Sequence, residues 1–219
     1  MHISFKTKLK IMIVIMFLSP IVIMKGAEMK KGIIILAYHA VNDKITGIEE
    51  LFVKPDEFHK QIEYLSKRRY TPLHFNEVGS RWKYKKPIII TFDDGYVDNY
   101  YIAYPILKKF NFKATIFMVA GYINKPGYLN EEQIKEMADI ISIQSHTLKH
   151  PQLDKLDENR IEYEFVKSNA IIEEITGKPV NTIAYPYGSY NKKVIDIAAK
   201  YYTYAVNTKY GIYNEIAGN

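Results

Sequence analysis

Short, continuously apolar runs that alternate with amphipathic stretches constrain this chain more than any other feature. The runs at 33–38 (IIILAY), 70–73 (YTPL), 87–92 (PIIITF), 114–119 (ATIFMV), 140–144 (IISIQ), 182–185 (TIAY) and 203–206 (TYAV) read as strands. Most show no apolar–polar alternation, so both faces must be covered, as in a parallel sheet flanked by helices. The intervening segments carry helical spacing. Residues 55–68 open on Pro55 and repeat Phe58, Ile62 and Leu65 at i, i+4 and i+7. Residues 130–138 open on Asn130 with Gln133 three positions on, a capping box. Residues 157–176 place Ile161, Phe165, Ile172 and Ile175 on one face and stop at Gly177, with Pro179 just beyond. Asn191 caps a helix over 192–201, and a helix over 97–110 is bent by Pro105. About seven βα units predict an α/β fold, a deformed (β/α)7 barrel whose chemistry sits at the C-terminal ends of its strands.

The charge does not point to nucleic acid. The net charge is +6, and residues 1–27 hold Lys6, Lys8, Lys10 and Lys25 without an acid, which leaves little excess for the body. Three of those lysines precede the apolar run 11–24 (IMIVIMFLSPIVIM), the pattern of an export leader, and the run is short for a membrane-spanning helix. Residues 1–27 are therefore expected to be a signal peptide or an N-terminal membrane anchor, and the body is expected at or beyond the cell surface. The chain has no cysteine, which excludes disulfides, thiolate metal sites and a cysteine nucleophile.

The residues that follow the strands form a chemical set. His39 follows the first, Asp93 and Asp94 the third, Ser145 and His146 the fifth, and Pro186, Tyr187 and Gly188 the sixth. His146 and His150 stand at i and i+4, where one turn can aim both at a point. Two neutral imidazoles and a carboxylate suit a divalent cation with an open position for water. One aspartate of the pair can then ligate the cation and relieve the like-charge repulsion, while the other takes the proton of a water acidified from a pKa of about 15.7 toward ~7. His39 on its own reads as a core-edge residue, His59 as solvated, His74 as a loop residue and His2 as part of the leader. Of the nineteen tyrosines, Tyr187 and Tyr96 sit where a substrate can touch them. The lysines read as the outer faces of helices.

TFDDG at 91–95, SHTLKH at 145–150 and AYPYG at 184–188, in that order, resemble the polysaccharide deacetylases of carbohydrate esterase family 4. The resemblance covers roughly residues 32–211, and AYHAV ahead of TFDDG is similar to the branch that acts on poly-β-1,6-N-acetylglucosamine, a biofilm polymer. It implies a catalytic domain over 32–219 with Asp93 as base and Asp94, His146 and His150 as ligands of a divalent metal. That metal is commonly zinc, with cobalt, nickel or iron as alternatives. It further implies His39 as catalytic acid, Pro186, Tyr187 and Gly188 along the sugar groove, and the Tyr187 N–H as an oxyanion donor. The expected partner of this monomer is an N-acetylglucosamine polysaccharide.

Two departures from the family pattern stand out. An arginine common shortly before the Pro-Tyr-Gly element is replaced by Ala184, so a later strand is expected to supply the charge. The chain also ends at Asn219, soon after AVNTKYG, so the barrel is expected to lack its last strand and to present an unpaired edge. The rival readings are the same chemistry on peptidoglycan or a chitin-like polymer, and an inactive, truncated glycan-binding homologue.

Overall fold

The structure, a computed structural model, describes residues 10–13, 33–44 and 48–209. In chain order the elements are β1 (Lys10–Ile13), β2 (Ile34–Tyr38), β3 (Ala40–Val41), β4 (Phe52–Val53), α1 (Pro55–Lys67), β5 (Thr71–Pro72) and β6 (Pro87–Asp94). They continue with α2 (Tyr104–Lys109), β7 (Ala114–Met118), α3 (Glu131–Glu136), β8 (Ile141–Ser145), α4 (Glu158–Thr176), β9 (Thr182–Ala184), α5 (Lys192–Ala198) and β10 (Tyr204–Asn207). One eight-stranded sheet runs β1-β10-β9-β8-β7-β6-β2, with β5 also on β6, and β3 pairs with β4 beside it. Every one of these pairings is parallel. Among the described residues no pairing joins β2 to β1, so the barrel is open on that side.

The apolar runs are buried on both faces, for the reason the sequence suggests. Ile89 belongs to an inner cluster with Ile35, Phe75, Phe117 and Val206, while its neighbours Ile88 and Ile90 join the larger cluster under the helices. Phe58, Ile62 and Leu65 of α1 complete that outer layer. Each such side chain contributes roughly 1.5–3 kcal/mol by leaving water. The capping box at Asn130 forms: its side chain accepts from Gln133 N at 2.8 Å, and Gln133 Oε1 accepts from Asn130 N at 3.0 Å. Helix α4 starts on the side chain of Asp157 and ends at Gly177 with φ +64°.

Three differences from the sequence reading have physical causes. Strand β6 runs on through Asp93 and Asp94, because those residues pair with Phe117 and Met118 of β7. The segment ahead of Pro105 is a wide π turn over Asn99–Ala103 before α2 begins. Pro105 has no N–H to give to the carbonyl four residues back, so the turn widens rather than breaks. The edge of β10 that was expected to be bare carries β1, with Lys10 to Ile13 in register with Tyr204 to Asn207. The rest of the segment read as a leader lies outside the described residues, as does the end of the chain beyond Lys209. Among the described residues no helix is long and apolar enough to cross a membrane.

Candidate active site and metal centre

The parallel sheet gathers the strand-end residues at one rim. Asp94 Oδ1 lies 3.6 Å from His146 Nε2 and 3.5 Å from His150 Nε2, and the two imidazole nitrogens lie 3.1 Å apart. Asp93 points to the other side, with Oδ2 3.9 Å from His39 Nε2. This divergence is built into the backbone. Successive residues of a strand face opposite ways, and Asp94 then turns left-handed at φ +71°, followed by Gly95 at +79°. A side chain at Gly95 would collide with the sulfur of Met118.

The ligand loop is tied down from three directions. His146 N donates to Met118 O at 2.9 Å, and the His146 Nδ1–H donates to the Ala184 carbonyl at 2.8 Å, which turns the Nε2 lone pair toward Asp94 and His150. His150 N donates to Thr147 Oγ1 at 3.0 Å. Glu164 of α4, only 7% exposed, accepts from Leu148 N at 2.9 Å and Lys149 N at 2.8 Å. Those bonds hold a loop in which Thr147 and His150 both adopt positive φ, at +68° and +60°. Such conformations cost about 1–3 kcal/mol each and persist only where the surroundings enforce them.

The electrostatics favour neutral imidazoles and a proton-hungry carboxylate. Burial lowers the pKa of His146 to about 4 and also lowers that of His150, in each case against the opposing pull of Asp94. Burial lowers His39 as well, again opposed by Asp94. Asp93 is raised well above the ordinary carboxylate range, first by burial and then by the charge of Asp94.

Asp94, His146 and His150 fit a divalent cation. Tetrahedral bonds of about 2.0–2.2 Å to nitrogen and oxygen separate the ligand atoms by ~3.4 Å, close to the 3.1, 3.5 and 3.6 Å found here. Among the described residues this is the one group of three or more acidic or histidine side chains whose donor atoms converge so closely. Beside it, a cavity of about 20 Å³ is lined by His39, Asp93, Ala184, Tyr185, Asn207 and Thr208, among others. It has room for one water. Among the described residues no lysine or arginine lines it, so none of them supplies the expected substitute for the missing arginine on this wall; Asn207 and Thr208 stand there.

The remaining expected residues fall around the rim. Tyr187, in a turn with Pro186 and Gly188, is 63% exposed, has φ +58°, and sets its ring 4.5 Å from that of His150. Tyr96 lies beside Asp94, whose charge adds to burial in raising its phenol, and stacks on Tyr128 at 5.4 Å. His59 and His74 are away from the site: His59 lies 3.1 Å from Lys109 Nζ, and His74 precedes a short helix over Phe75–Lys83. The sequence reading missed Asp98 and Asn99. Asn99 Nδ2 donates to the His39 carbonyl at 2.9 Å, and Asp98 Oδ1 accepts from Val41 N at 3.1 Å, so the two clamp the segment that carries His39. Two polar residues so close behind TFDDG were a usable signal, as was a glutamate on the apolar face of α4.

Residues 81–206 match the sequence profile of the polysaccharide deacetylase family, and the chain belongs to that family. It is 38% identical over 172 residues to YxkH of Bacillus subtilis (strain 168), a protein named for polysaccharide deacetylation, covering 76% of this chain and 60% of that one. The crystal structure of BA0330 from Bacillus anthracis, likewise named for polysaccharide deacetylation, superposes with a TM-score of 0.82 at 38% identity, over 86% of this chain and 61% of that chain. The poly-β-1,6-N-acetyl-D-glucosamine N-deacetylase of Staphylococcus aureus (strain MSSA476) is 28% identical over 172 residues, 70% of this chain and 59% of its own. The chain thus spans about three fifths of the length of each of these relatives.

Proposed function

We propose that this chain is an exported, metal-dependent N-deacetylase that removes acetyl groups from N-acetylglucosamine in a cell-surface polysaccharide, poly-β-1,6-N-acetyl-D-glucosamine foremost. One observation carries the reading: Asp94, His146 and His150 converge on a point while Asp93 and His39 stand together beside it. The choice of polymer rests on AYHAV ahead of TFDDG and on the likeness to the staphylococcal N-deacetylase.

A divalent cation on the triad supplies polarisation of the acetyl carbonyl and a water acidic enough to be deprotonated near neutral pH. The protein's own groups do the rest. Ionised Asp93 takes a proton from the attacking water, and its burial gives it an unusual affinity for that proton. The backbone N–H of Tyr187 supports the negative charge that grows on the acetyl oxygen, a contribution of about 3–4 kcal/mol for a good donor. Protonated His39 gives its proton to the sugar nitrogen as the C–N bond breaks, worth ~10²–10⁴ in rate. Acetate and a glucosamine amine leave.

Acetate release from β-1,6-linked oligomers tests the assignment. Chelation should abolish release and added zinc or cobalt should restore it. The Asp93→Asn protein should keep its metal and slow by ~10²–10⁴-fold; release at the parent rate would remove Asp93 from the role of base. Binding of the oligomer without turnover under any metal would identify an inactive glycan-binding homologue. Faster release from chitin or peptidoglycan fragments would keep the chemistry and change the polymer.

A further inference from the structure

The end of the sheet opposite the candidate active site carries an unbalanced charge. Lys67, Arg68 and Arg69 lead from α1 into β5, and Lys83, Lys85 and Lys86 lead into β6. The two segments form one surface. Thr71 pairs with Pro87, and Lys86 Nζ donates to the Arg68 carbonyl at 3.0 Å while lying 5.5 Å from the centre of the Tyr70 ring. From residue 64 to residue 92 the only acid is Glu77, and it is held by Lys113 at 2.8 Å. Lys67 has Glu63 at 3.0 Å. Among the described residues no carboxylate lies within ion-pair distance of Arg68, Arg69, Lys83, Lys85 or Lys86.

Trp82, the only tryptophan of the chain, stands 72% exposed in the connection that leads into β6, next to Lys83. A single exposed ring is ordinary; its company is not. A soluble polyanion needs the cations but not the indole, and a neutral glycan needs the indole but not the cations. An anionic bilayer uses both, because tryptophan settles at headgroup level and Lys and Arg are drawn to the lipid phosphates.

We propose that this end is a docking surface for an anionic lipid bilayer, with Trp82 among the headgroups and Arg68, Arg69, Lys83 and Lys85 on their phosphates. The assignment is independent of the catalytic reading. It leaves the rim with Asp93 and Asp94 facing away from the membrane.

Because the chain has one tryptophan, its emission reports on this surface and not on the leader. The full-length protein is titrated with vesicles of phosphatidylglycerol in phosphatidylcholine, and separately with phosphatidylcholine alone. The expected result is a blue shift, with quenching by lipids brominated high in the acyl chain, on the anionic vesicles only. At about 1 M salt, where the Debye length is ~3 Å, the shift should reverse. Replacing Arg69, Lys83 and Lys85 together by Gln should weaken vesicle binding roughly a hundredfold, at about fivefold per charge. The same variant should keep its thermal unfolding curve and its acetate release from soluble oligomers. An unchanged Trp82 emission while the protein sediments with vesicles would overturn the proposal in favour of binding through the leader alone. So would a triple variant that binds like the parent, or an emission shift with soluble poly(glycerol phosphate) but not with vesicles.

Discussion

At the scale of single residues, Asp93 and Asp94 are adjacent in the chain yet serve separate partners, since β6 faces them apart and the left-handed turn at Asp94 completes the separation. A pH profile should expose the division. The base must be ionised, so its limb lies where Asp93 titrates, and burial has moved that upward from 3.8. The acid must be protonated, so its limb lies where His39 titrates, and burial has moved that downward from 6.5. In the metal-free protein both shifts bring the two titrations together; in the metal-loaded enzyme kcat/KM is expected to trace a bell whose alkaline limb is lost in His39→Asn. Removing the Asn99 side chain, which holds the backbone of His39, should lower kcat by up to ~10²-fold with KM little changed. The aspartate pair and the two histidines were legible in the sequence because their chemistry is carried by residue type and spacing. Asn99 was not, because its contribution is a bond to a carbonyl sixty positions away, which no local pattern encodes.

At the scale of elements, the ligand loop depends on a helix that contributes no ligand. Glu164 supplies two acceptor bonds to Leu148 and Lys149 from within the apolar face of α4. Glu164→Ala is expected to weaken metal affinity by about 10–100-fold, as for other groups that orient ligands from behind, and competition with a chromophoric chelator measures it. Asn130→Ala, which removes the cap of α3 and no ligand, should cost about 1 kcal/mol in urea unfolding. The longer strands and the helices were legible because their periods are local, and their ends moved by only a few residues; β1, β3 and β4 were not read, since two to four residues show no period. The π turn ahead of Pro105 was foreseen only as a bend, because a proline announces a missing N–H without specifying how the neighbouring turn absorbs it.

At the scale of the whole molecule, the buried site sets the acid stability of the metal-free protein. His146 takes up a proton near 6.5 when unfolded but only near 4 when folded, so the unfolded chain gains protons as the pH falls through that window. Stability is lost accordingly, by about 3 kcal/mol at the lower end. Asp93 acts in the opposite sense. Its raised folded pKa means that ionisation destabilises the fold at neutral pH, and that protonation relieves the strain as the pH falls. Chelator-treated Asp93→Asn is therefore expected to be more stable than the parent at pH 7 and to lose more on acidification, as urea titrations at the two ends of the window would record. The lysines of this cluster fell under a general reading of lysines as mostly the outer faces of helices; the surface exists because Thr71 and Pro87 are neighbours in the sheet.

The length of β6 has one more consequence. It runs from Pro87, beside the basic surface, to Asp94 at the rim, eight residues that rise about 23 Å in all. A protein seated on its basic end would hold its reaction centre at that height above the lipid phosphates. It would then reach sugar units several residues along an emerging chain and miss those still at the membrane. The height of a single strand would set how far from its root a polymer first acquires positive charge.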